Sequence, residues 1–155
     1  QLVIIGPADW DLPYYHNVFS TSVKKINQEG KHKITYLGTL DQADMIEWYQ
    51  KASIFVLPSF LEGFPVTVLE ALSCETSVVA TPVGGIPEVV RNHEDGILVP
   101  PNNPPKLAEA IQYLIDNKDI RTRMGREGRK WVTRNFSLDV IIKKLCDIYQ
   151  NMLSH

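Results

Sequence analysis

Short apolar runs alternate with helix-like segments along the chain, and this alternation constrains the fold more than any other feature. Each run is rich in valine, isoleucine or leucine and ends near a glycine or a proline. Such runs are typical of parallel strands buried on both faces. The pattern predicts an α/β protein with a doubly wound, Rossmann-like parallel sheet, with the C-terminal helices packed against its edge. The predicted strands cover residues 2–5, 34–37, 54–57, 77–80 and 96–99. The predicted helices cover residues 14–29, 41–51, 65–74, 86–92, 104–117, 119–134 and 137–153.

The segment 54–70 joins a predicted strand to a predicted helix and is the most informative about function. Its turn carries Glu62 and Gly63, and its helix is predicted to begin at Pro65. Proline is favoured at the first helical position because the N–H that it lacks would have no partner there. Glu62 should therefore lie in front of the helix, and Glu70 should lie on its second turn.

A helix N-terminus between two carboxylates suits a particular kind of ligand. The N–H groups of Val66 and Thr67 should be free at the start of the helix, where the helix dipole favours an anion such as phosphate. Carboxylates accept hydrogen bonds from hydroxyl groups. Glu62 and Glu70 would together suit a diphosphate with hydroxyl groups on both sides, as in a nucleotide sugar.

The same segment resembles a known family. Glu62 and Glu70, with seven residues between them, are similar to the Glu-x7-Glu motif of retaining nucleotide-sugar glycosyltransferases with the GT-B fold. The resemblance covers about residues 1–149 and identifies the C-terminal, donor-binding half of that fold. It continues through residues 34–38, 71–74, 78–90 and 96–101.

The resemblance implies roles for individual residues. Glu62 would be the catalytic-site glutamate that binds hydroxyls of the donor sugar, and Glu70 would accept both ribose hydroxyls of the nucleotide. Phe64 has an equally good alternative as an anchor in the core. The further donor contacts implied are Gly63, Phe64 and Pro65 for the sugar, and Val66 and Thr67 for the diphosphate.

Two glycine-containing loops complete the implied donor site. Leu37 and Gly38 lie where the family packs the nucleotide base against loop backbone. Gly84 and Gly85 resemble a flexible loop near the donor, with a tight turn that contacts no ligand as the alternative. One departure concerns Glu75, which stands where relatives have glycine after the helix and which should adopt a left-handed conformation.

In the family, the donor domain begins one strand and one helix earlier. That unit carries an arginine and a lysine that hold the diphosphate, and an acceptor-binding domain precedes it. The resemblance thus implies that residues 1–155 form a donor-binding domain that lacks its first βα unit and cannot transfer sugar alone. It also implies a gap, a neighbour not found in the family, or an exposed apolar seam between strands 2–5 and 54–57.

The implied reaction moves a hexose from a nucleotide diphosphate sugar to an acceptor hydroxyl with retention, without a metal or other cofactor. The acceptor could be a polysaccharide, a lipid or a small molecule. Two alternatives remain open, namely a GT-B-like nucleotide-sugar epimerase and a nucleotide-binding module without catalysis.

Composition excludes several other classes. A net charge of −2 gives no indication of nucleic-acid binding. The chain has no apolar run of about 18 residues and no signal peptide, which predicts a cytoplasmic protein. The four histidines have no metal-ligand spacing, and Cys74 and Cys146 are predicted to be reduced core thiols.

A locally basic helix is the last feature of note. Its charges predict a solvated face, and the alternative is peripheral contact with anionic lipid on the cytoplasmic side of a membrane. The basic residues are Arg121, Arg123, Arg126, Arg129, Lys130 and Arg134.

Overall fold

The computed structural model describes residues 1–7 and 15–153, and the chain divides into two compact units, Gln1–Met45 and Ile46–His155. The predicted elements are found in the predicted order. The strands are β1 (Leu2–Ile4), β2 (Ile34–Tyr36), β3 (Ile54–Leu57), β4 (Ser77–Ala80) and β5 (Gly96–Leu98). The helices are α1 (Ser20–Gln28), α2 (Gln42–Lys51), α3 (Val66–Ser73), α4 (Ile86–Val89), α5 (Pro104–Asp116), α6 (Lys118–Phe136) and α7 (Leu138–Leu153), and a π-helical turn over Tyr15–Phe19 precedes α1.

The first unit contains a two-stranded parallel sheet. β1 pairs with β2 so that Leu2 lies opposite Ile34. Asn27, near the end of α1, fixes the start of β2 because its side chain both accepts from the Ile34 N–H at 2.7 Å and donates to the Ile34 carbonyl at 2.9 Å.

The second unit contains a three-stranded parallel sheet in the order β3-β4-β5. All four residues of the central strand β4 are buried. Val79 joins a core cluster with Ile97 of β5, Leu114 of α5 and Met124 of α6. Its neighbour in the strand, Val78, is fully buried outside that cluster, as expected when successive side chains point to opposite faces. The sheet is therefore covered on both sides.

The predicted parallel α/β architecture is confirmed. No described ladder joins β1 or β2 to β3, β4 or β5, so the five strands form two sheets and not one. The expected interruption between strands 2–5 and 54–57 stays a prediction, because β1 and β3 belong to different units.

The end of α3 confirms the left-handed conformation predicted for Glu75, whose φ is 61°. The N–H of Glu75 donates to the Leu72 carbonyl and that of Thr76 donates to the Ala71 carbonyl, both at 3.0 Å. These two bonds form a Schellman motif, which pairs carbonyls that a helix end would leave free. Gly125 of α6 lies directly against the Glu75 carbonyl, where a Cβ atom would overlap it.

Two expectations about the C-terminal region are wrong. α5 and α6 contact β4, but α7 has no buried residue and contacts α6. Cys146 on α7 is exposed and is therefore not a core thiol, whereas Cys74 is half-buried. The apolar residues of α7 predict a buried face, but the described residues leave this face exposed.

Candidate functional site

The turn that carries Glu62 is fastened at its base. Ser59 follows β3, and its hydroxyl donates to Oε1 of Glu62 at 2.6 Å. The hydroxyl of Thr81, a buried residue just after β4, donates to the Ser59 carbonyl at 2.5 Å. The Glu62 carboxylate is therefore held by a serine of its own turn, and that serine is held by the neighbouring strand.

The two glycines of the second loop lie directly against this turn. Gly84 has a φ of +54°, and a Cβ atom at this position would overlap the Glu62 carbonyl. The Gly85 N–H donates to the Gly63 carbonyl at 2.9 Å. A side chain at Gly85 would stand 3.0 Å from the same oxygen. Gly84 thus requires glycine for this close approach, a Cβ at Gly85 would be a tight contact, and the structure brings both glycines next to Glu62 and Gly63.

The first turn of α3 differs by one residue from the prediction. Pro65 is the N-cap and not the first helical residue, with φ −83° and ψ 79°. These angles match an inverse γ-turn, in which the Val66 N–H donates to the Phe64 carbonyl at 3.0 Å. Of the two N–H groups predicted to be free, only that of Thr67 has no acceptor among the described residues.

Phe64 has features of both roles considered for it. Its side chain is 50% exposed. One part of the ring packs near Phe136 at the end of α6, with 6.1 Å between ring centroids, and Phe136 in turn contacts Trp131. Phe64 therefore anchors the turn to α6 and leaves an apolar surface beside Gly63.

Glu70 lies on the second turn of α3, as predicted, and has a buried partner. The hydroxyl of Tyr49 donates to Oε2 of Glu70 at 3.0 Å. Tyr49 is only 2% exposed, and its backbone carbonyl accepts from the Thr76 hydroxyl at 2.7 Å. Burial, and then the hydrogen bond to Glu70, raise the pKa of Tyr49 well above its ordinary value, so the hydroxyl remains a donor.

The other oxygen of Glu70, Oε1, accepts no hydrogen bond from any described residue. Cys74, one turn further along the chain, has a raised pKa because it is partly buried, an effect that Arg129 opposes and the Glu70 charge adds to. The Glu70 carboxylate is thus fixed at one oxygen and available at the other.

The base-loop residues belong to the first unit. The Leu37 N–H donates to the Ile4 carbonyl at 3.0 Å, and the Gly38 carbonyl accepts from the Gly6 N–H at 2.9 Å. Gly38 has a φ of +71°, which favours glycine. Contact of these two residues with a nucleotide base stays a prediction.

Comparison with known proteins decides the family. The sequence profile of glycosyl transferases group 1 matches residues 1–131. The chain belongs to this family. Among curated relatives of this group 1 chain, D-inositol 3-phosphate glycosyltransferase of Streptomyces bingchenggensis is 35% identical over 108 residues, or 70% of this chain and 24% of the relative. The same-named protein of Corynebacterium glutamicum is 31% identical over 97% of this chain and 34% of the relative.

A third relative matches this chain over its full length. The N,N'-diacetylbacillosaminyl-diphospho-undecaprenol alpha-1,3-N-acetylgalactosaminyltransferase of Campylobacter jejuni is 28% identical over 100% of this chain and 38% of its own length. The group 1 chain therefore spans between 24% and 38% of the length of these three relatives.

Solved structures of similar fold agree with this assignment. Sucrose-phosphate synthase of Thermosynechococcus elongatus superposes with a TM-score of 0.86 at 28% identity, over 99% of this chain and 39% of that protein. The C-terminal domain of a group 1 glycosyl transferase, LpcC of Francisella tularensis, gives a TM-score of 0.72 at 28% identity, over 82% of this chain and 66% of that one. The Anabaena protein HepE, in complex with UDP-glucose, gives 0.82 at 18% identity over 96% of this chain and 40% of its own, which shows the fold alone. The predicted identity as part of a GT-B glycosyltransferase fold is confirmed.

The basic helix of this group 1 chain is α6, and three of the six basic residues named above have partners among the described residues. Arg121 donates to the Leu114 carbonyl at the end of α5 at 2.7 Å. Arg129 lies 3.8 Å from Glu75, and Lys130 lies 2.7 Å from Glu127. These contacts agree with a solvated face, and membrane contact stays a prediction. No described helix is long and apolar enough to cross a bilayer.

Within residues 1–7 and 15–153, no three histidine, cysteine, aspartate or glutamate side chains cluster where they could hold a metal ion. The expectation that the reaction needs no metal stays a prediction.

Sequence reasoning missed Ser59, Tyr49 and Phe136. Ser59 could have been found, because a serine three residues before a turn carboxylate is a common local donor. Tyr49 and Phe136 have no such signal. They lie 21 residues before Glu70 and 72 residues after Phe64, and only the tertiary fold brings each pair together.

Proposed function

We propose that this chain is the donor-binding part of a hexosyltransferase. The complete protein would move a hexose from a nucleotide diphosphate sugar to an acceptor hydroxyl, with retention of configuration and without a metal. Glu62 would bind the sugar, Glu70 the ribose, and the start of α3 the diphosphate.

The observation that carries the proposal is the position of the α3 N-terminus, which lies between Glu62 and Glu70. Glu62 precedes the helix in a turn held by Ser59, and Glu70 follows on the second turn with Oε1 free of described partners. Between them lies the Thr67 N–H, which also lacks a described acceptor. A helix N-terminus favours phosphate, and each carboxylate accepts hydroxyl groups. Group 1 glycosyl transferase membership makes a nucleotide sugar the ligand that fits best.

The family does not specify the sugar or the acceptor, and its members named above differ in both. A thermal-shift screen of the complete protein against UDP, GDP and ADP and their hexose derivatives would identify the donor. We expect one base series to raise the melting temperature, and the sugar derivative to raise it further. The absence of any shift with all three series would contradict the proposal.

Two substitutions separate the roles of the glutamates. Glu70→Ala should weaken nucleoside diphosphate and nucleotide sugar alike, by about 1–3 kcal/mol, because a charge-assisted pair of hydrogen bonds is lost. Glu62→Gln should weaken only the nucleotide sugar. Calorimetry with both ligands measures the difference, and Glu88→Gln, an exposed carboxylate at the start of α4, is the control. Equal losses for both ligands in the Glu62 variant would refute its assignment to the sugar.

Catalysis also needs an acceptor held against the anomeric carbon, and positioning can lower a barrier by ~7–11 kcal/mol. We therefore expect residues 1–155 alone to bind nucleotide weakly and to transfer no sugar, and the complete protein to do both. Turnover by the isolated chain at a rate like that of the complete protein would show that this division is wrong. Tight donor binding by the complete protein without transfer to any acceptor would favour the alternative of a non-catalytic module.

A further inference from the structure

The buried hydroxyl of Tyr49 contacts the candidate site but has no role in the proposed function. It donates to Oε2 of Glu70 at 3.0 Å from a side chain that is 2% exposed. The ring is fixed independently of this bond, because it packs edge-to-face on Phe55 with 5.5 Å between centroids. The backbone of Tyr49 is fixed too, since its carbonyl accepts from the buried Thr76 hydroxyl at 2.7 Å.

We propose that Tyr49 is a positioning residue that orients the Glu70 carboxylate so that it selects ribose over 2′-deoxyribose, an inference that rests on the proposed role of Glu70. Two neighbouring hydroxyl groups need two acceptor positions at one carboxylate. The tyrosine occupies one position on Oε2 and leaves the rest of the group, including all of Oε1, for the ligand.

The physical reason is the freedom of an unsupported glutamate. A glutamate side chain loses rotamer freedom, at a cost in free energy, when it is held in one geometry. A donor that holds the carboxylate before the ligand arrives lowers the cost of binding. A tyrosine hydroxyl is protonated at neutral pH, and burial raises the pKa of Tyr49 further, so this hydroxyl donates to Glu70.

The test compares ribose and deoxyribose ligands in the complete protein. Dissociation constants are measured for UDP and 2′-deoxy-UDP, with the GDP and ADP pairs in parallel, and the tightest-binding pair gives the ratio. Tyr49→Phe removes one oxygen and keeps the ring that contacts Phe55. We expect the preference for ribose to fall about fivefold in this variant, which corresponds to about 1 kcal/mol, the net contribution of a typical hydrogen bond.

Three controls separate positioning from general stability. Tyr113→Phe removes a tyrosine hydroxyl from a side chain that is 43% exposed and should leave the ratio unchanged. Thr76→Val removes the donor to the Tyr49 carbonyl but leaves the Tyr49 ring packed on Phe55 and its hydroxyl in place, so stability should fall while the ratio is kept. Both ligands are measured on one sample, so the ratio does not depend on the fraction of folded protein. In the Glu70→Gln background, Tyr49→Phe should have no further effect.

The outcomes distinguish this inference from the function on which it rests. If Glu70→Gln abolishes the preference and Tyr49→Phe leaves it within twofold of the original, the positioning role is wrong and the role of Glu70 stands. If neither substitution changes the preference, the assignment of Glu70 to the ribose fails, and the role of Tyr49 fails with it. If none of the six nucleotides binds, the proposed function itself is wrong.

Discussion

The two glutamates of the candidate donor site are supported in opposite ways. Glu62 is held by Ser59, three residues away in the same turn, and Gly84 lies directly against its backbone carbonyl. Glu70 is held by Tyr49, a buried residue 21 positions away on another helix. One support is local and lies near the surface, and the other depends on the packed core. Substitutions should therefore disturb the two sides separately.

The largest effect is expected on the Glu62 side, from Gly84→Ala. The left-handed φ of Gly84 and the overlap of a new Cβ with the Glu62 carbonyl both oppose the change. We expect the free energy of unfolding to fall by about 2–4 kcal/mol. Binding of nucleotide sugar should fall more than binding of nucleoside diphosphate, because the displaced residue is Glu62 and not Glu70.

Gly63→Ala, in the turn that Gly84 contacts, is the matched control. Gly63 has no atom within 4 Å of a Cβ built there, so stability measured by chemical denaturation should change little. A loss of stability as large as that of Gly84→Ala would show that the turn is sensitive to any side chain, and that the close approach at Gly84 is not the cause.

These positions also show which structural features could be predicted from the sequence. The strand–turn–helix segment and the glutamate spacing are local, and each is visible from residue types alone. The left-handed Glu75 follows from the resemblance, because relatives have glycine there. The resemblance also implies the interruption between strands 2–5 and 54–57, which stays a prediction. The partner of Glu70, the partner of Phe64 and the exposure of α7 depend on what packs against each element. Apolar periodicity shows which face of α7 is apolar, but it does not identify the surface that covers it.

The second largest effect on stability is expected on the Glu70 side, from Gly125→Ala in α6. A Cβ atom there would overlap the backbone carbonyl of Glu75 at the end of α3, and backbone cannot easily move. Alanine is favoured over glycine within a helix, which offsets part of the cost. We expect a net loss of about 1–3 kcal/mol in a denaturation experiment.

Gly128→Ala makes the same change one turn further along α6. The nearest atom to its new Cβ is the end of the Leu72 side chain, which can rotate away more easily than backbone. The loss of stability should therefore be smaller than for Gly125→Ala. The opposite order would show that side-chain packing between α3 and α6, and not the Glu75 backbone, limits the approach of the two helices.

A smaller effect is expected from Ser59→Ala. This change removes the donor to Glu62 Oε1 but keeps the Ser59 carbonyl, which accepts from Thr81. Affinity for nucleotide sugar should fall about fivefold, while affinity for nucleoside diphosphate stays the same. Calorimetry with both ligands checks the result, with Ser73→Ala on the exposed end of α3 as control. A loss for both ligands would mean that Ser59 supports the whole site and that the two sides are not independent.

The smallest expected effect is a pH dependence that belongs only to the Glu70 side. Burial and the bond to Glu70 raise the pKa of Tyr49 in the folded protein above its ordinary value of 10.0. The folded state then keeps the proton at pH values where the unfolded chain has lost it. This contribution to stability is complete below about pH 10 and declines as the pH rises further.

Stability measured by urea denaturation between pH 9 and pH 11 should therefore fall less steeply in Tyr49→Phe than in the original protein. Ser59 does not titrate in this range, so Ser59→Ala should keep the original slope. An identical slope in Tyr49→Phe would mean that the Tyr49 hydroxyl opens to solvent in the folded state, and that the support of Glu70 is no firmer than that of Glu62.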